Sequence, residues 1–153
     1  ERKALRNGNG TITAYFANGN KSFECTFENG FVNGSWKEYY LNGAIYREEN
    51  YEFGDYEGVQ KHFYADGKPM AVLNFKAGDE HLEQRYYHEN GQLKRVQNWI
   101  WGEMDGESLH YDTNGQQIRR EVYHDGYQTF DSGIIVPAAQ PTTPPKTTKP
   151  AKK

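Results

Sequence analysis

Aromatic side chains recur along this chain with a period of 24 residues rather than in continuous apolar runs. Tyr15, Tyr39, Phe63, Tyr87 and Tyr111 mark one position of the repeat, and Phe27, Tyr51, Phe75, Trp99 and Tyr123 mark another. Glycines keep the same step. One series runs Gly19, Gly43, Gly67, Gly91 and Gly115, and a second runs Gly30, Gly54, Gly78, Gly102 and Gly126. A third, Gly10, Gly34, Gly58 and Gly106, is broken once by Leu82. A strict repeat of this length describes one small unit copied along an array, and arrays usually work as extended surfaces rather than as pockets.

Segments 35–40 and 45–51 are of strand length, rich in aromatics and without helical spacing. Between them lies an Asn-Gly pair, Asn42-Gly43, which predicts a tight hairpin turn with both residues at positive φ. The remaining glycines, as in 54–58, lead into the next hairpin. The expectation is all-β: a single-layer array of about five β-hairpin repeats, roughly 50 Å long with strands about 4.8 Å apart. Equivalent aromatics stack in two rows that form its core. Residues 10–15 supply a first strand and 133–136 a final edge strand. The repeat domain spans 1–136. Residues 137–153 hold five of the six prolines and four lysines without an acid, which reads as a flexible Pro/Thr/Lys-rich tail.

Leu, Ile, Val and Phe make up only 26 of 153 residues, low for a packed domain. The net charge is just −3, however, and 12 tyrosines and 3 tryptophans stand in for the missing aliphatics, so the chain reads as folded. No segment approaches the roughly 20 apolar residues that span a bilayer as a helix. Cys25, the sole cysteine, leaves no intramolecular disulfide. The start at Glu1 rather than Met fits either a processed or a trimmed chain; the compartment stays open, with a bacterial periplasm reached by a removed leader slightly favoured over the cytoplasm.

Catalytic chemistry is not advertised. His62 and His110 occupy one slot two units apart, about 19 Å in a regular sheet, too far to share a zinc ion. His81, His88 and His124 have no Cys or carboxylate at ligand spacing. Residues 7–10 lack the Lys and Ser/Thr of a phosphate loop. Glu48 and Glu49 point to opposite faces of a strand. The reading is of no enzyme, no cofactor and no metal.

Recognition is expected where the units differ. The turns at 28–34, 52–58, 76–82 and 100–106 carry Glu28, Glu52, Asp55, Glu57, Asp79, Glu80, Glu103 and Asp105 against the single base Lys76. The same turns hold Phe31, Val32, Phe53, Tyr56, Trp101 and Met104 where the repeat does not require apolar groups. Aromatic anchors ringed by charge suit a protein interface. The predicted contact set is Phe31, Phe53, Asp55, Tyr56, Glu57, Asp79, Glu80, Trp101, Glu103, Met104 and Asp105, facing a basic partner. Changing Trp101 to Ala or Asp105 to Lys is expected to weaken the complex and spare the fold. Without the tail the body has 14 bases against 21 acids, a charge of about −7 that disfavours nucleic acid and anionic lipid.

The segment Gly34-Ser35-Trp36-Lys37-Glu38-Tyr39-Tyr40-Leu41-Asn42-Gly43-Ala44-Ile45 resembles the MORN repeat, closest to the bacterial variant that reads roughly Gly-x-Trp-x-x-Tyr-Tyr-x-Asn-Gly-x-Leu. The segments 63–67 and 87–94 follow it, and the resemblance covers residues ~10 to ~127. It departs at Leu82 and at Asp112, which replaces the second aromatic of the last unit. The resemblance implies an array of β-hairpins that binds proteins. It further implies an antitoxin or immunity protein that occludes the active site of a toxin or effector enzyme, or alternatively a membrane-associated scaffold for lipid or cytoskeletal partners.

Overall fold

The computed structural model describes residues 5–135. The tail expected at 137–153 lies outside the described residues, as does Val136. The first seven strands are β1 (Gly10–Tyr15), β2 (Lys21–Glu28), β3 (Phe31–Tyr39), β4 (Ile45–Glu52), β5 (Asp55–Tyr56), β6 (Gly58–Phe63) and β7 (Pro69–Lys76). The last six are β8 (Asp79–Glu80), β9 (Leu82–Tyr87), β10 (Leu93–Ile100), β11 (Glu103–Tyr111), β12 (Gln117–His124) and β13 (Tyr127–Asp131). They form one open antiparallel sheet ordered β1-β2-β3-β4-β6-β7-β9-β10-β11-β12-β13, with the short β5 paired to β4 and the short β8 to β7. No helix occurs among the described residues. The all-β repeat array is therefore as the periodicity implies.

β5 with β6, and β8 with β9, are two broken strands, each taking the place that β3 and β11 fill unbroken. The breaks fall at Glu57 and His81. A buried glutamine repairs each one. Gln60 Oε1 accepts the Asn50 N–H while its Nε2 donates to Asn50 O at 3.0 Å. Gln84 makes the same pair with Asn74, at 2.7 and 2.6 Å. A side-chain amide thus stands in for the missing peptide of the ladder.

The two turn classes are the reverse of the sequence expectation. In Asn42-Gly43 only the glycine is left-handed, at φ 86°. Gly43 N–H donates to Tyr40 O at 2.9 Å, and Asn42 Oδ1 accepts the Ala44 N–H at 3.0 Å. This is a longer loop in which Asn serves by its side chain rather than by positive φ. Consecutive positive φ values occur instead on the opposite edge, at Phe53-Gly54 (50° and 98°) and Trp101-Gly102 (49° and 80°). Loop length, not the Asn-Gly letters, decides where the two-residue turns fall.

The expected aromatic core is corrected as well. Tyr15 is exposed, and the other nine aromatics of the two rows are only half-buried. The innermost residues lie on a transverse row in direct register, Ile12–Cys25–Trp36–Glu49 at one end and Gln84–Gln97–Ser108–Glu121 at the other. Between them Gln60 pairs with Leu73. Cys25, Glu49, Gln60, Gln84, Gln97, Ser108 and Glu121 are all buried, and most are polar. A single sheet has no second layer, so only a central row shielded by large neighbours on the same face leaves water. Hydrogen bonds keep those polar groups affordable.

The expected edge strand at 133–136 is replaced by β13 at Tyr127–Asp131. Residues 132–135 are not strand, because Ser132 takes the Arg120 N–H on its Oγ and Gly133 turns at φ 66°. Ile135 still donates its N–H to Ile118 O at 2.6 Å.

Candidate functional site

Both long edges carry bonds that link units 24 residues apart. On the Asn-Gly edge, Tyr40 and Tyr64 donate their hydroxyls to Phe63 O and Tyr87 O, each at 2.8 Å, and His88 Nε2 lies 2.9 Å from Tyr111 O. On the opposite edge, each tight turn is anchored to the preceding one. Gly54, Gly78, Gly102 and Gly126 donate their N–H groups to Val32, Tyr56, Glu80 and Met104 carbonyls at 2.9–3.0 Å.

This second edge is the acidic, aromatic rim. Phe31, Phe53 and Trp101 are 56%, 60% and 54% exposed, and Ile100 and Leu82 are exposed beside them. Asp55, Asp79 and Glu103 follow one another on the rim beside Gly78, Gly102 and Gly126 of the next turn, and all three are exposed. A shallow hollow of about 370 Å³ is lined by Ile100, Trp101, Glu103, Asp105 and Asp125.

The remaining members of the predicted contact set serve the sheet. Tyr56 lies between Tyr51 and Phe75, with ring centroids 4.8 and 4.9 Å away. Met104 Sδ accepts from Gln97 Nε2 at 3.3 Å, and Glu80 sits half-buried across from Phe75. Glu57 Oε2 accepts the Ala77 N–H at 2.8 Å, and Asp105 Oδ2 accepts the Asp125 N–H at 3.2 Å. The same role recurs at Asn9 to Asn29, Asn33 to Phe53 and His81 to Trp101. Slots 9, 33, 57, 81 and 105 therefore all supply an acceptor for the left-handed residue of the next turn. Their letters differ, which hid the shared function, but every one of them can accept.

Phe53 and Trp101 hold φ near +50°, where bulky side chains are uncommon and costly. The same slot carries Asn29 and Asp125, residues that tolerate this conformation far better. The Trp101 ring lies 4.9 Å from that of His81 and stays open to water on its other side.

Titratable groups cluster on the buried row. Burial alone would raise the Glu49 carboxyl, but hydrogen bonds from His62 and Tyr51 and the charge of Arg47 outweigh it and hold it below its ordinary value. Arg47 lies 3.1 Å and His62 Nε2 3.3 Å from Glu49 Oε1. His110 Nε2 lies 2.9 Å from Glu121 Oε2 and 3.2 Å from Ser108 Oγ, using one nitrogen for both and so leaving no relay geometry. His124 departs from expectation. The sheet brings Asp105, His124 and Asp125 within 4.8 Å of one another, so carboxylates do stand at ligand distance. Sequence spacing missed this because Asp105 belongs to the neighbouring strand. Those groups already bond among themselves, with His124 Nδ1 at 3.1 Å from Asp105 Oδ2.

A family model described as MORN repeat variant matches residues 8–29, 32–52, 56–77 and 80–100, more than half of the chain. The chain belongs to the MORN repeat family, in its variant form. The matched stretches coincide with successive hairpins from β1 to β10, and the unit formed by β11 and β12 continues the same geometry beyond them. MORN repeats are generally non-catalytic modules that bind proteins or membranes. No curated protein matches the chain. No helix among the described residues is long and apolar enough to cross a membrane.

Proposed function

We propose that this MORN array is a non-catalytic protein-binding module whose tight-turn rim grips a partner with a basic surface. The observation that carries the reading is the pair Phe53 and Trp101. Both are exposed and both occupy left-handed tips that Asn or Asp would fill at lower cost. Strain kept at a solvent-facing aromatic argues for use of the aromatic, and exposed Trp and Phe are what interface hot spots are made of. Asp55, Asp79 and Glu103 alternate with them and would steer a cationic surface into place.

A basic surface of this kind belongs to an enzyme acting on a polyanion, such as a toxin or effector directed at nucleic acid. The array would then work as an antitoxin or immunity protein, covering the enzyme's active-site region by steric and electrostatic block. The test is affinity enrichment from the native cell with the full chain and with a Phe53→Asn/Trp101→Asn variant, followed by mass spectrometry and an activity assay of the enriched enzyme. The expected result is a basic enzyme held and inhibited by the first and lost from the second. Identical recovery by both chains would remove the rim from consideration.

A further inference from the structure

Three arginines occupy one slot of the repeat, and only two are neutralised. Arg47 pairs with Glu38 at 2.7 Å and Glu49 at 3.1 Å. Arg119 pairs with Glu121 at 3.0 Å and Asp131 at 2.7 Å. Arg95, between them in the array, makes no ion pair among the described residues. The reason is legible two residues on: the buried row carries Glu49 and Glu121 in their units but Gln97 in this one. The cross-strand neighbours of Arg95 are Tyr86 and His110 rather than acids.

The consequence is an uncompensated cation on an otherwise acidic body. Arg95 lies over the Tyr86 ring at 4.1 Å, and its Nε is buried without a hydrogen-bond partner. The Arg47 Nε is also unpartnered, but both terminal nitrogens of Arg47 are held by carboxylates. Partial burial of an unpaired charge is costly unless something else supplies the counter-charge.

Arg95 opens onto a hollow of about 300 Å³ lined by Tyr64, Met70, Tyr86, Tyr87, Lys94, Arg95 and His110. No carboxylate lines it. Its volume is at the lower end of small-ligand sites, and Tyr64 and Tyr87 line it beside the Tyr86 ring that Arg95 covers. The Tyr64 ring is fixed in place by its hydroxyl bond to Tyr87 O at 2.8 Å. Arg95 supplies a planar donor fork and Lys94 a mobile point charge. Together they carry two positive charges, which match a dianionic phosphate better than a single carboxylate.

We infer that this hollow is a binding site for a small soluble phosphomonoester bearing a planar ring, its phosphate on Arg95 and Lys94 and its ring against the tyrosines. The site lies on the sheet rather than on the tight-turn rim and does not depend on the protein-binding reading.

The test titrates the isotope-labelled full chain with phenyl phosphate, and separately with inorganic phosphate, at fixed ionic strength, following amide shifts by NMR. Saturable shifts at Tyr86, Arg95 and His110 are expected, with phenyl phosphate the tighter of the two. Gln97→Glu gives Arg95 the carboxylate its counterparts already have, and should weaken binding by about tenfold or more while the spectrum stays folded. Arg95→Gln should do the same should the glutamate not be accommodated. Lys61→Gln, an exposed charge change on the opposite face, should leave affinity unchanged. Absence of saturable shifts, equal loss in Lys61→Gln, or undiminished binding in both Gln97→Glu and Arg95→Gln would overturn the assignment. So would a tyrosine-phosphorylated peptide bound tenfold more tightly than phenyl phosphate through Arg95, which would make the ligand a protein.

Discussion

Asp105 reaches one repeat forward and accepts the backbone N–H of Asp125 on its Oδ2 at 3.2 Å, also holding His124 at 3.1 Å. The bond ties one tight turn to the next, so this carboxylate belongs to the scaffold before it belongs to any interface. Asp105→Ala is expected to lower stability by roughly 1 kcal/mol, since it leaves one N–H of a left-handed residue without its partner. Urea unfolding measures it, and Asp105→Asn should recover most of the loss because Asn9 and Asn33 do the same job in their units. A charge reversal at this position is therefore expected to perturb the fold as well as any complex.

Leu82 stands where Gly34, Gly58 and Gly106 stand in other units, and it holds φ 65° with its side chain 62% exposed. Its side chain gains little from burial while its backbone carries the left-handed penalty. Leu82→Gly is expected to stabilise by about 1 kcal/mol and to raise the thermal midpoint by a few degrees. Leu82→Ala should give no comparable gain, as alanine meets the same backbone clash.

Gln60 should be far less replaceable than its polar character suggests. It is buried and supplies both an acceptor and a donor to the backbone of Asn50 across the break at Glu57. Gln60→Leu keeps the volume and removes both bonds, leaving the Asn50 N–H unsatisfied. A loss of roughly 1–3 kcal/mol is expected in chemical denaturation, with hydrogen exchange accelerated first at Asn50.

Acid should weaken the array through its buried row. The Glu49 carboxyl is held below its ordinary value of 4.5 in the folded state, against the upward pull of burial, by His62, Tyr51 and Arg47. A depressed carboxylate contributes stability that is present above its unfolded pKa and is lost as pH falls through the lower folded value. Urea midpoints should accordingly hold steady well above pH 4.5 and drop as pH falls past 4.5 and through the lower folded value. Glu49→Gln should be less stable at neutral pH, where Arg47 loses one of its two carboxylate partners and keeps only Glu38, and should show a smaller acid-induced loss.

Much of this molecule is legible in its letters because every feature that recurs by identity announces itself. The glycine and aromatic series give the unit, its length and its strands. Features that recur by function are harder to see. Asn9, Asn33, Glu57, His81 and Asp105 share a slot and a role without sharing a residue type. The Asn-Gly pairs mislead for a different reason: asparagine can serve a turn through its side chain as well as through positive φ, and the loop is one that uses the side chain. The polar central row escapes a hydrophobicity argument altogether, since it is buried by flanking aromatics and arginines of the same sheet face. Arg95 is the exception that sequence comparison alone could have found, because Glu49 and Glu121 are replaced by Gln97 in its unit.

The rim reading rests on Phe53 and Trp101 being retained for contact with a partner rather than for folding, and the thermal midpoint of the Phe53→Asn/Trp101→Asn double variant tests this most directly. Relief of two left-handed aromatics should raise the midpoint by roughly 3–8 °C, with the sheet unchanged by circular dichroism. A fall in the midpoint would show that the two aromatics hold the array together, and the rim would lose its claim to recognition.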